Sequence, residues 1–175
     1  MTPFLTHNVH VHIYPFITRY FASPPPETLR LNNNEFVGPL PPTLGRLVAL
    51  KEMILGFNYF TGSIPMEYKS LTQLQYFDVN DLSSLHGPFF DVCGERWTKL
   101  RSLVLDGTAL NGTIPSNVIT SWSDSIMDVR LGESLFSGTF PTEIGLLSQL
   151  TNLNSIGTNM YGPFPNVTTL SNLSK

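Results

Sequence analysis

The feature that most limits what this chain can fold into is a self-similarity at a fixed step of 24 residues. Leu29, Leu31, Asn34, Phe36, Gly38, Leu40, Pro41, Leu44, Leu47 and Leu50 form one pattern. Adding 24 to each number lands on Met53, Leu55, Asn58, Phe60, Gly62, Ile64, Pro65, Tyr68, Leu71 and Leu74. Residue type is kept at every position, and self-similarity on this scale is the mark of a solenoid in which each unit stacks on the next. One unit cannot fold alone. Six or so buried apolar side chains contribute roughly 1.5–3 kcal/mol each, against roughly 1–2 kcal/mol of conformational entropy for every ordered residue.

Six copies follow one another, with strands beginning near residues 29, 53, 77, 103, 129 and 153. The third is irregular: Phe77 and Val79 keep the step, then Gly87, Phe89 and Phe90 arrive one residue late, and Trp97 and Leu100 later still. The fourth carries Leu103, Leu105, Gly112, Ile114, Pro115 and Trp122, and the fifth Val129, Leu131, Gly138, Phe140 and Pro141. In the sixth, Ser155 replaces a core leucine. Residues 1–27 fit no further copy, residues 28–173 hold the six repeats, and residues 174–175 read as a truncated end.

Each recurring residue has a physical role. Leu29 and Leu31, two apart, share one face of a short strand and point to the core. The Asn that follows, replaced by Thr or Ser in later copies, can bond the backbone where the chain turns. Glycine lets the chain bend, and proline fixes φ at a corner without needing a donor. In the irregular repeat, Trp97 and one of Phe89 and Phe90 are expected to fill the space that leucine leaves, near Cys93.

The run Leu50, Met53, Leu55, Asn58, Phe60, Gly62, Ile64, Pro65 resembles the plant-type leucine-rich repeat, whose Gly-x-Ile-Pro element sets it apart from other subtypes. The resemblance implies an α/β repeat solenoid with a parallel β-sheet on the concave face and short 3₁₀ or irregular convex segments. It also implies a non-catalytic protein- or peptide-binding module, a fragment of a cell-surface receptor-like protein. The alternatives are a secreted inhibitor of an extracellular enzyme and an intracellular scaffold. A cell-surface or extracellular location follows from the resemblance. An intracellular one is favoured by the single cysteine and by the lack of a signal-peptide pattern at residue 1.

On such a solenoid the concave strand residues meet partners. Here they place Asp78, Asp81, Asp106 and Glu133 together mid-sheet, with Arg130 among them and Phe57 and Tyr59 as an aromatic wall. Strands roughly 4.8 Å apart bring these carboxylates within reach of one cation, so a basic peptide or protein patch is the expected ligand. With Lys and Arg at 10 against 13 Asp and Glu, the chain has no basic footprint for nucleic acid. No run of 18 apolar residues spans a membrane. No catalytic residue, cofactor or metal is expected: an open sheet does not push two carboxyl pKa values apart, and His7, His10 and His12 come without a cysteine or carboxylate. Asn111, Asn166 and Asn172 head glycosylation sequons, and Asn111, beside a turn glycine, is the preferred one.

Overall fold

The computed structural model describes residues 11–12 and 25–173. Six short strands, Thr28–Arg30, Glu52–Ile54, Tyr76–Asp78, Ser102–Val104, Asp128–Arg130 and Asn152–Asn154, form one parallel sheet in chain order. Their register is that of the repeat, with Leu29 beside Met53, Met53 beside Phe77, Phe77 beside Leu103, Leu103 beside Val129 and Val129 beside Leu153. The first five of these residues and the leucine-type residue two positions on in each of those five repeats are buried, and they build one continuous core.

Past each strand the chain turns through a left-handed corner. Asn33, Phe57, Asp81 and Glu133 have φ between 51° and 57°, and Gly107 and Gly157 occupy the same place in their repeats at 67° and 74°. The corner amide still belongs to the ladder: Phe57 N–H donates to Asn80 O at 3.0 Å and Asp81 N–H to Asp106 O at 2.9 Å. The polar residue that follows closes the turn on itself, with Asn34 Nδ2 donating to Leu31 O at 3.0 Å and Thr108 Oγ1 to Leu105 O at 2.8 Å. Among the described side chains of this column only that of Asn58 bridges repeats, donating to Leu31 O at 2.8 Å and accepting from Phe36 N–H at 3.0 Å. The expected polar column is present, then, as a set of local caps with one inter-repeat link. Leu82 interrupts it and is buried.

Beyond the corner lies a second, lateral set of parallel strands that the repeat pattern did not foretell. Val11–His12, Phe36–Pro39 and Tyr59–Thr61 pair in one group. His86–Pro88, Ala109–Gly112, Leu135–Gly138 and Asn159–Met160 pair in another, joined to the first by a single bridge between Gly62 and Leu85. The break falls where the third repeat carries its extra residue. Residues 11–12, in the segment that fits no repeat, thus contribute a lateral strand beside Phe36 and Val37.

The convex side is crossed by 3₁₀ turns at Pro42–Arg46, Met66–Ser70 and Thr142–Leu146, each entered through the corner proline, whose φ of −62° to −70° sets the direction. In the third and fourth repeats α-helical turns, Phe89–Cys93 and Ser116–Ser121, stand there instead. Both Phe89 and Phe90 are buried, where one had been expected, and they join Phe77, Trp97, Trp122 and Phe136 in an aromatic core with ring centroids 5.0–6.5 Å apart. Trp97 Nε1 donates to Tyr68 O at 3.1 Å, whereas Trp122 Nε1 is buried without a partner.

Candidate functional site

Because Leu29 and its equivalents face the core, the residues on either side of them face outward on the concave sheet. One outward column is Arg30, Ile54, Asp78, Val104, Arg130 and Asn154, as expected. The other, Thr28, Glu52, Tyr76, Ser102, Asp128 and Asn152, was missed. The signal was the same period of two, extended one step toward the N-terminus.

The missed column holds the electrostatic centre. Asp128 accepts from Arg130 Nε at 3.1 Å, Ser102 Oγ at 3.2 Å and Asn152 Nδ2 at 2.6 Å. These bonds hold the Arg130 side chain, still half exposed, over the sheet. Toward the N-terminal strands Arg30 and Glu52 form a second pair at 2.6 Å.

Asp78 and Asp106 lie on the same face and bear on Arg130 and on each other. Burial pushes the Asp78 carboxyl above its ordinary range, opposed by a hydrogen bond from Asn80 N–H at 2.9 Å and by the Arg130 charge. Asp106 is raised for the same reason, opposed by Gly132 N–H at 2.6 Å and by Arg130. Asn154 Nδ2 also reaches Asp106, at 3.3 Å. Space for this arrangement comes from glycine: a Cβ on Gly132 would stand 2.8 Å from the Asp106 oxygen, and one on Gly56 only 2.0 Å from the Asn80 side-chain oxygen.

The expected gathering of Asp78, Asp81, Asp106 and Glu133 is therefore met in part. Asp78 and Asp106 stand on the sheet face, while Asp81 and Glu133 occupy the left-handed corners at its rim. Asp81, Asp106, Glu133, Asn154 and Ile156 border a shallow groove of about 320 Å³. Phe57 is another corner residue, 49% exposed at the rim. Tyr59 is not on the concave face. It lies two residues past the corner, on the lateral strand Tyr59–Thr61, so the aromatic wall of Phe57 and Tyr59 does not form. The aromatic ring on the sheet face is Tyr76, near the half-buried Ile54 and Val104.

Asn111 sits half buried inside the lateral strand Ala109–Gly112, whereas Asn166 and Asn172 are exposed. His7 and His10 lie outside the described residues, as does the side chain of Cys93. Among the described residues no group of three or more His, Cys, Asp or Glu is arranged to hold a metal, and no helix is long and apolar enough to cross a membrane.

The Leucine Rich Repeat family profile matches residues 26–47. Receptor-like protein 41 of Arabidopsis thaliana is 33% identical over 148 residues, covering 84% of this chain and 16% of the relative. The chain is a plant-type leucine-rich repeat protein. Receptor-like protein 18 of the same plant is 33% identical over 114 residues, covering 65% of the leucine-rich repeat chain and 13% of the relative. The solved ectodomain of the Arabidopsis receptor kinase HAESA, in complex with an N-terminally extended IDA peptide hormone ligand, superimposes with a TM-score of 0.78 at 30% identity. That match covers 85% of this chain and 24% of the ectodomain. The repeats thus span a sixth or less of the curated relatives they match.

Proposed function

We propose that these repeats belong to a cell-surface, receptor-like protein and bind a peptide or protein ligand on the concave sheet without performing chemistry on it. The observation that carries this reading is the make-up of the sheet face. Half-buried Ile54 and Val104 and the exposed Tyr76 ring adjoin a charged centre of Asp78, Asp106, Asp128 and Arg130. Apolar anchors beside oriented charges are what a recognition surface requires. Three carboxylates, those of Asp78, Asp106 and Asp128, bear on one guanidinium, with Asp81 and Glu133 at the rim, so the complementary ligand carries a cationic group. The related HAESA ectodomain holds a peptide hormone, and the similarity to receptor-like proteins supports an extracellular location.

The test uses peptides selected from a random phage-displayed library on the immobilised chain, with affinities then measured by titration. Tyr76→Ala and Asp106→Lys are expected to weaken binding at least about tenfold, or about 1.4 kcal/mol, with unchanged far-UV circular dichroism. Met66→Lys on the convex side is expected to leave it unaltered. Selected peptides that ignore both concave variants would overturn the reading.

A further inference from the structure

Three sequons stand in this sequence, and the fold treats them differently. We propose that Asn166 is the principal N-glycan acceptor, in contrast to the preference for Asn111 that its place beside a turn glycine suggests. The proposal rests on the extracellular reading above.

The position of Asn166 in the repeat makes it an outer-surface residue. It follows the corner proline Pro165, as Pro42, Met66, Ser116 and Thr142 follow theirs, and all five are exposed. This is where the chain begins to cross the convex side, so a bulky oligosaccharide has solvent to occupy and does not meet the concave sheet. The segment is also held in place. Thr169 Oγ1 donates to Gly145 O at 2.7 Å, and a Cβ on Gly145 would meet Asn166 O at 3.0 Å, so the backbone here packs closely on the fifth repeat. Half-buried Val167 and buried Leu170 anchor it from within.

The side chain is preset as well. Asn166 Oδ1 accepts from Thr168 N–H at 3.0 Å, an Asx turn formed by the sequon itself, and Nδ2 has no partner among the described residues. The other two sequons fail on one of these counts. Asn111 is half buried between Pro88 and Leu135 of the neighbouring lateral strands. Asn172 is exposed but donates its Nδ2 to Ser148 O at 3.2 Å, so a sugar there competes with an inter-repeat bond.

The modification joins Asn166 Nδ2 to the anomeric carbon of a lipid-pyrophosphate-linked oligosaccharide. The bond from that carbon to the pyrophosphate oxygen breaks, the lipid pyrophosphate leaves with the electron pair, and the amide gives one proton to a base. The transferase and the donor are those of the secretory route.

The test is to express the full 175-residue chain behind a heterologous secretion leader in plant cells. Site occupancy is then read by glycopeptide mass spectrometry on protein from the medium or from the membrane-enclosed secretory fraction. The expected order of occupancy is Asn166, then Asn172, then Asn111. Asn166→Gln and Thr168→Ala should each remove the dominant glycopeptide, while Asn111→Gln leaves it in place. Any order in which Asn166 is not the most occupied site overturns the proposal. Because the leader forces secretion, that failure leaves the binding role of the concave face untouched, and loss of concave binding leaves this site untouched.

Discussion

The first, second and fifth repeats return to the sheet in 24 residues, as from Leu29 to Met53, while the third and fourth take 26, from Phe77 to Leu103 and from Leu103 to Val129. The shorter repeats cross the convex side as 3₁₀ turns and fill the space behind with Leu44, Leu47, Tyr68, Leu71, Ile144 and Leu147. The longer ones spend their extra residues on α-helical turns. Their interior takes Trp97 and Trp122 in the column where Leu47, Leu71 and Leu147 stand, with Phe89 and Phe90 beside them. A solenoid can therefore absorb a change of repeat length without losing strand register when larger side chains fill the longer repeats.

The largest expected effect follows directly from that account. Trp97→Ala should cost about 3–5 kcal/mol, on the order of 10 °C in Tm for a chain of this size, as read by thermal denaturation. It should exceed the loss caused by Leu147→Ala at the equivalent place in a short repeat. Equal losses would mean that the aromatic filling is not what supports the long repeats.

A smaller effect separates the two tryptophans. Trp122 Nε1 is buried without a partner, a defect worth about 1–3 kcal/mol that phenylalanine removes. Trp122→Phe should leave stability within about 1 kcal/mol of the parent or raise it, because the lost packing and the relieved donor offset each other. Trp97→Phe, by contrast, gives up the bond to Tyr68 O and should be clearly destabilising in chemical denaturation. If both substitutions cost the same, that hydrogen bond is not what distinguishes the two wedges.

The smallest expected effect concerns the sheet face of the long repeats, which carries both carboxyls with raised pKa values. A carboxyl that holds its proton more tightly in the folded chain favours folding at low pH. That contribution is complete below the ordinary value of 3.8 and is lost as pH rises through the higher folded value. Asp78→Asn keeps an acceptor for Asn80 N–H and abolishes this titration. Stability measured against pH should fall less steeply just above pH 3.8 in the variant than in the parent, and unchanged curves would remove burial as the cause.

The main sheet was legible in the sequence because one register governs it from Leu29 to Leu153. The lateral strands were not. Tyr59–Thr61 has one buried residue, Phe60, between two exposed ones, which no periodicity distinguishes from a corner. That is why Tyr59 was assigned to the wrong face. Phe89 and Phe90 were taken as alternatives because sequence spacing does not reveal how far the convex wall stands from the sheet. Asp128 and Tyr76 were readable from the period of two, but the concave columns were counted forward from the core leucines and not backward. Among the sequons, burial of Asn111 depends on lateral pairing with Pro88 and Leu135, so its exposure was not a local property.

The left-handed corners at the end of each concave strand have a consequence for how recognition can be probed. An L-residue in that conformation costs about 1–2 kcal/mol, yet Phe57, Asp81 and Glu133 stand where Gly107 and Gly157 show that glycine suffices. Glycine at any of these three places would erase the displayed group while easing the backbone that displays it. Such substitutions part what a residue does for a ligand from what it does for the scaffold, and at these corners the two run in opposite directions.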